Sequence, residues 1–151
     1  AAMAFAGPAN AVVDEAGAAA ASRGMSAVAA AGNDGPRAPP RYPAAHAWAI
    51  AVTGVDRNAR IFALAVRGPH IAFAAPGVDL PVLVAADRPP VLRSGTSYAV
   101  PFVAAALALA RASGLDADVA IRQLAAAARD LGPPGRDPIH GWGLVRAVGD
   151  C

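Results

Sequence analysis

The segment Gly95-Thr96-Ser97 and the apolar run that follows it at residues 102–110 constrain the fold of this chain more than any other stretch. Glycine lets the backbone turn sharply, so Ser97 falls in the first turn of the following helix, where backbone N–H groups have no partner within the helix. Pro101 lacks an N–H, and the Ser97 carbonyl therefore loses its usual donor. The pattern predicts a tight turn that leads into a buried helix from Ser97 to about Ala112.

A serine at a helix start suits a nucleophile. The positive end of the helix dipole and the N–H of Ser97 itself would both stabilise an oxyanion formed there. The simpler alternative is that Ser97 only caps the helix, as serine often does. The residue alone does not decide between these two interpretations.

Continuous apolar segments that alternate with helices predict a mostly parallel sheet. Residues 25–31 and 48–55 are apolar without polar alternation, which is typical of strands covered on both faces. Asn10 is predicted to cap a helix that ends near Arg23, and Asp116 a helix that ends near residue 132. Shorter strands are predicted at residues 2–8, 62–66 and 70–74, with a hairpin at 81–86 and 91–93. The fold class is therefore α/β, with helices on both faces of the sheet.

Composition narrows the classes of function. A chain with 56% hydrophobic and 16% charged residues is not disordered. The net charge of +2, with basic residues scattered, indicates neither nucleic acid nor a membrane surface as a partner. The run at 102–110 is too short for a membrane span, which needs roughly 20 residues. Cys151 is the only cysteine, so no internal disulfide is predicted.

Five separate stretches then match one pattern in the right order. They are Val-Ala-Ala-Ala-Gly-Asn-Asp-Gly at 28–35, Tyr-Pro-Ala at 42–44 with Ile-Ala-Val-Thr-Gly-Val-Asp at 50–56, Ala-Ala-Pro-Gly-Val at 74–78, Ser-Gly-Thr-Ser-Tyr-Ala-Val-Pro at 94–101 and Gly-Trp-Gly-Leu-Val at 141–145. Together they resemble the subtilisin-like serine peptidases, or subtilases. The resemblance implies a three-layer α/β/α fold with a mostly parallel sheet, of which residues 1–151 are the C-terminal portion of the catalytic domain, incomplete at the N-terminal side.

The resemblance also assigns roles to particular residues. Ser97 would attack a peptide carbonyl and form an acyl-enzyme, while the Asn33 side chain and the Ser97 N–H would form the oxyanion hole. Taken alone, Asn33 would be an ordinary turn residue. The substrate cleft is assigned to Ala4, Phe5, Ala6 and Gly7, which would pair with the substrate backbone, and to Ala30, Ala31 and Gly32, which would line the pocket for the residue before the scissile bond.

The base that Ser97 needs is missing from the expected place. Subtilases carry their triad in the order Asp, His, Ser, yet no histidine precedes Asn33. We expect both groups to lie outside this chain, in the N-terminal half of the same domain, so that the chain alone is inactive and poorly stable. The alternative is a catalytically inactive subtilase-like domain that binds peptides or a partner. Structural roles are expected for His46 and His70, and His140 follows Ser97 in a glycine-rich tail.

Part of the sequence also matches a different class of enzyme. Residues 95–99 nearly give the Gly-x-Ser-x-Gly motif of α/β-hydrolase esterases, and Asp137 and His140 follow in the order of that fold. However, Ala99 breaks the motif, and the acid and the histidine are only three residues apart. That interpretation also leaves the segment around Asn33 unexplained.

The expected partners follow from the peptidase interpretation. They are a peptide or protein substrate and the N-terminal half of the domain, without nucleic acid or a membrane span. No cofactor is expected; calcium is common in the family, but no acidic cluster marks a site. A secreted or periplasmic location follows from the resemblance alone. No charged side chain is expected among the small residues of the pocket wall, so the sequence does not indicate which substrates are preferred.

Overall fold

The computed structural model describes residues 1–147, which form a parallel sheet, a hairpin and three helices. The sheet has the order β1-β2-β3-β4, and all of its neighbouring strands are parallel. Its strands are Ala2–Met3 (β1), Ala27–Ala30 (β2), Ala49–Val55 (β3) and Ile71–Pro76 (β4). Leu80–Val82 (β5) and Val91–Arg93 (β6) form the antiparallel hairpin, and the helices are Ala11–Ser22 (α1), Thr96–Ala112 (α2) and Ala117–Ala127 (α3).

The helices begin close to the positions that the sequence predicts. The side chain of Asn10 accepts hydrogen bonds from the N–H groups of Val12 and Val13 at 3.0 and 3.1 Å. Asp116 occupies the N-cap of α3 but makes no capping bond through its side chain, and that helix ends at Ala127. No single helix in the described part of the chain is long and apolar enough to span a membrane; α2 and α3 pass only as a pair bent by 119°.

The core lies between one face of the sheet and α2. This helix packs across β2, β3 and β4, and α3 packs against α2. The buried side chains of this layer include Val28, Val52, Phe73, Val100, Val103, Leu107 and Leu124. A smaller buried cluster on alternate strand positions, which includes Ala29, Ala51 and Ile71, lies on the opposite face. The α/β class and the mostly parallel sheet are thus confirmed.

Three of the predicted strands are wrong or too long, and one of these is the hairpin strand at residues 81–86, which spans only Leu80–Val82. Residues 62–66 are not a strand, because the Asp56 carboxylate accepts the N–H groups of Asn58 and Arg60 and turns the chain back toward β3. The first strand covers only Ala2–Met3 instead of residues 2–8. Beyond it the backbone leaves β2, and Gly7 pairs with Tyr42 instead.

Three glycines bring the end of the sheet and the start of α2 into direct contact. A Cβ atom on Gly77 would lie 2.9 Å from the Gly54 Cα and 3.0 Å from the Gly95 carbonyl oxygen. The N–H of Gly95 donates to the Gly77 carbonyl at 2.8 Å. Because side chains are absent at these positions, α2 begins directly beside the carboxyl ends of β3 and β4.

We predict that Gly77→Ala lowers the free energy of unfolding by about 1–3 kcal/mol, since the added methyl group meets backbone atoms that cannot move aside independently. Gly7→Ala is the matched control, because a Cβ there meets nothing within 4 Å. Urea denaturation of the two variants measures the difference. Equal midpoints would show that the three-glycine contact does not constrain the fold.

Candidate active site

Thr96, the first residue of α2, is fully buried and joins the helix to the turn after β2. Its N–H and its hydroxyl both donate to the Asn33 Oδ1, at 3.0 Å each. The same hydroxyl oxygen accepts the N–H of Gly32 at 3.1 Å. A hydroxyl can donate once and accept at the same time, so the arrangement satisfies both neighbours and fixes Asn33 against the helix start.

These bonds also determine which end of the Asn33 amide faces the helix. A backbone N–H can only donate, so the atom that meets the Thr96 N–H must be the oxygen. The Nδ2 group therefore points away from Thr96, and it lies 3.4 Å from the point where a Cβ on Gly95 would be. Asn33 is exposed to solvent. It consequently presents a hydrogen-bond donor to the open side of the helix start.

Ser97 occupies the second position of α2 and is half-buried. At this position its N–H has no acceptor within the helix, as in any first turn. Its Oγ donates a hydrogen bond to the carbonyl of Ala4 at 2.8 Å. An amide carbonyl is too weak a base to remove a hydroxyl proton, so this contact holds the side chain without activating it.

The structure brings some of the predicted site residues together and leaves others apart. Ala4 contacts Ser97, whereas Gly32 and Asn33 reach the helix start through the residue before Ser97. Ala30, Ala31 and Gly32 are buried at the end of β2. Phe5 and Ala6 are exposed, and Gly7 exchanges two backbone hydrogen bonds with Tyr42 at 2.8 and 3.0 Å.

A charged pair that the sequence did not predict lies beside Gly32. The Nε of Arg41 is 2.8 Å from the Asp34 Oδ2. The Cγ and Cβ atoms of Arg41 lie 2.9 and 3.2 Å from where a Cβ on Gly32 would be. A charged side chain therefore lies beside one of the small residues that the resemblance assigns to the pocket wall. The loop that returns Arg41 to this position carries no periodic signal from which the contact could have been predicted.

In the described residues, the Ser97 hydroxyl bonds to the Ala4 carbonyl and to no histidine. His46 comes just before β3, with its Nδ1 2.9 Å from the Asp14 Oδ1 and its ring stacked on Trp48 at 5.0 Å. His70 comes immediately before β4, where burial, and then the charge of Arg136, lower its pKa. The His70 ring therefore lies at the amino ends of the strands, opposite to Asn33. The His46 ring instead packs against Tyr42, with 4.6 Å between the ring centroids, and lines a pocket with Phe5, Ala6 and Gly7.

The third histidine lies beside an aspartate. The Nδ1 of His140 is 3.5 Å from the Asp137 Oδ2. The backbone N–H of nearby Trp142 donates to the carbonyl of Ala72, near the start of β4. The Ser97 hydroxyl bonds to the Ala4 carbonyl and not to His140, so the described residues do not form the esterase arrangement.

No group of three or more His, Cys, Asp or Glu side chains that could hold a metal occurs within residues 1–147. Cys151 lies outside the described residues.

Comparison with known proteins agrees with this geometry. A sequence model described as the subtilase family matches residues 4–143. The chain is 32% identical over 126 residues to the Minor extracellular protease Epr of Bacillus subtilis, and 36% identical over 126 residues to the Thermostable alkaline protease of Halalkalibacterium halodurans. A solved lanthipeptide protease has a TM-score of 0.75 and 26% identity.

These matches cover most of this chain and only part of each relative. The two sequence matches include 82% of the chain, but 19% and 34% of the respective proteases. The structural match includes 89% of the chain and 52% of the lanthipeptide protease chain. The chain therefore spans less than two thirds of the length of each of these three relatives.

We predict that Thr96→Val destabilises the helix start, because it leaves the buried N–H of Gly32 without an acceptor at a cost of about 1–3 kcal/mol. Thr96→Ser, which retains the hydroxyl, is the matched control. Amide hydrogen exchange at Gly32 should accelerate in the valine variant and remain close to wild type in the serine variant. Equal exchange rates in all three proteins would contradict the role given to the hydroxyl.

Proposed function

The chain belongs to the subtilase family of serine peptidases, and on this premise we propose that it supplies the nucleophile and the oxyanion hole of an endopeptidase domain. The observation that carries the proposal is the fixed orientation of Asn33. Its Oδ1 is occupied by Thr96, so its Nδ2 is presented at the helix start where Ser97 lies. A nucleophile and two convergent donors, one side chain and one backbone, are what acyl transfer requires.

The proposed reaction uses these groups in sequence. The Ser97 oxygen attacks the carbonyl carbon of the scissile peptide bond, and its proton passes to a general base. The carbonyl oxygen becomes an oxyanion that accepts hydrogen bonds from the Asn33 Nδ2 and the Ser97 N–H. The C–N bond then breaks as the leaving amine takes a proton from the base, and water hydrolyses the resulting ester.

We propose that this base is a histidine, oriented by an aspartate, in an N-terminal half of the domain. Within the described part of the chain, the Ser97 hydroxyl donates to the Ala4 carbonyl and contacts no histidine through a hydrogen bond. An N-terminal half also has a place to bind, since β1 is an edge strand of the sheet.

The substrate is proposed to bind as an added strand along Ala4, Phe5 and Ala6. These residues are exposed and extend from the contact with Ser97, so their backbone groups are accessible to a peptide. Buried Ala30, Ala31 and Gly32 would form the wall of the pocket for the residue before the scissile bond. A secreted or periplasmic location is proposed because one matched relative is named an extracellular protease.

The second candidate function is a catalytically inactive domain that binds peptides in the same cleft. It is favoured by one observation, the hydrogen bond from the Ser97 hydroxyl to a carbonyl that cannot act as a base. The two candidates differ in whether the hydroxyl becomes reactive in the complete protein.

We predict that a fluorophosphonate labels Ser97 in the full-length protein and not in the isolated chain. Ser97→Ala should abolish the labelling, whereas Ser113→Ala, at the other end of α2, should not change it.

We also predict that Asn33→Leu lowers the turnover of a peptide substrate by about 10²–10³, an effect size established on subtilisin itself for the loss of such a donor. Asn58→Leu, in an exposed turn, is the matched control.

The outcomes separate the candidates. Labelling of the isolated chain would contradict the proposal that the base lies outside this chain. Absence of labelling in both proteins would contradict the peptidase proposal and favour the binding domain.

A further inference from the structure

We propose that Arg41 selects substrates with an acidic side chain, glutamate or aspartate, immediately before the scissile bond. The inference rests on the proposed function, and it names the substrate class of that site. Its basis is the position of Arg41. The stem of this side chain lies against Gly32, and its guanidinium is bound by Asp34, the residue that follows Asn33.

The chemistry of the oxyanion hole locates the relevant side chain. If the Asn33 Nδ2 binds the carbonyl oxygen of the scissile bond, the carbonyl carbon lies beside Asn33. The side chain of the residue before the scissile bond branches one atom from that carbon. That side chain therefore extends over Gly32 and Asp34, the residues on either side of Asn33, and over any side chain that packs against them. In this protein the stem of Arg41 covers Gly32.

Gly32 has no side chain that could separate a substrate from Arg41. Its φ of 104° is a conformation that favours glycine, and a Cβ there would collide with the Arg41 Cγ at 2.9 Å. The arginine stem thus takes the volume that a side chain at position 32 would fill. In the proposed pocket, Arg41 would therefore take the place of a side chain at position 32.

The ion pair leaves binding capacity on the guanidinium. Arg41 reaches the Asp34 carboxylate through Nε, and an arginine has four further N–H donors on its two Nη atoms. These donors form a planar fork that matches a carboxylate. The Arg41 side chain is 29% exposed, so the fork is partly shielded from water and still accessible.

The preference is for an acidic rather than a basic substrate residue because the two partners are placed differently. Arg41 lies against the pocket wall at Gly32, whereas Asp34 is 48% exposed on the turn and has its Oδ2 occupied by the Arg41 Nε. Asp34 orients the guanidinium, but its negative charge also opposes an incoming carboxylate. Removal of that charge should therefore strengthen the preference.

The test is hydrolysis by the full-length protein of four peptides that differ only in the residue before the scissile bond, which is Glu, Gln, Leu or Lys. We expect kcat/KM for the Glu peptide to exceed that for the Gln peptide by about tenfold or more, the size expected of a charge-assisted bidentate contact. Arg41→Met, which keeps the Cβ and Cγ against Gly32, should remove this ratio and favour the Leu peptide. Asp34→Asn should raise the ratio.

Two further variants control for other effects. Arg41→Lys keeps the charge but not the fork, so it should retain only part of the Glu preference. Arg122→Met, on the exposed surface of α3, should leave the ratio unchanged. Equal rates for Glu and Gln, a preference for Lys, or a Glu preference that survives Arg41→Met would overturn the assignment of Arg41. Absence of hydrolysis of all four peptides, with no fluorophosphonate labelling, would instead refute the peptidase function on which the inference rests.

Discussion

The site depends on the buried hydroxyl and N–H of Thr96, which hold the Asn33 amide oxygen at the start of α2. Without them an asparagine on an exposed turn would rotate freely, and its donor would have no fixed direction. The bonds are possible only because parallel strands end at the same edge of the sheet and the glycines at 54, 77 and 95 allow close approach. Packing of backbone against backbone thus sets the position of a side-chain donor.

The proposed nucleophile, Ser97, hydrogen-bonds to no histidine in the described residues. His46 pairs with Asp14 and His140 with Asp137, while His70 comes immediately before β4. The hydrogen bond to the Ala4 carbonyl orients the Ser97 hydroxyl but supplies no base. On our account, Ser97 becomes reactive when a further segment of chain packs against β1 and brings a base to the helix start. This half of the domain then supplies the nucleophile and the hydrogen-bond donors of the oxyanion hole, and the other half supplies the base.

Much of this organisation could be predicted from the sequence where the signal is local. Continuous apolar residues specify β2 and β3, and the Asn10 cap specifies the start of α1, because propensity and burial act in the same direction there. Residues 62–66 were wrongly predicted as a strand since the side chain of Asp56 turns the chain first. The contacts of Thr96 with Asn33 and of Arg41 with Gly32 join distant or aperiodic segments, so no pattern in the sequence could indicate them. The roles of Ser97 and Asn33 came from resemblance and remain predictions.

The most direct test of the central claim is a crystal structure of the full-length protein with a phosphonate bound covalently to Ser97. Our account predicts that one phosphonyl oxygen lies about 2.7–3.1 Å from both the Asn33 Nδ2 and the Ser97 N, the distances expected of oxyanion-hole donors. The Asn33 Oδ1 should remain on Thr96. A phosphonyl oxygen directed to solvent, or an Asn33 side chain turned away from the adduct, would contradict the account.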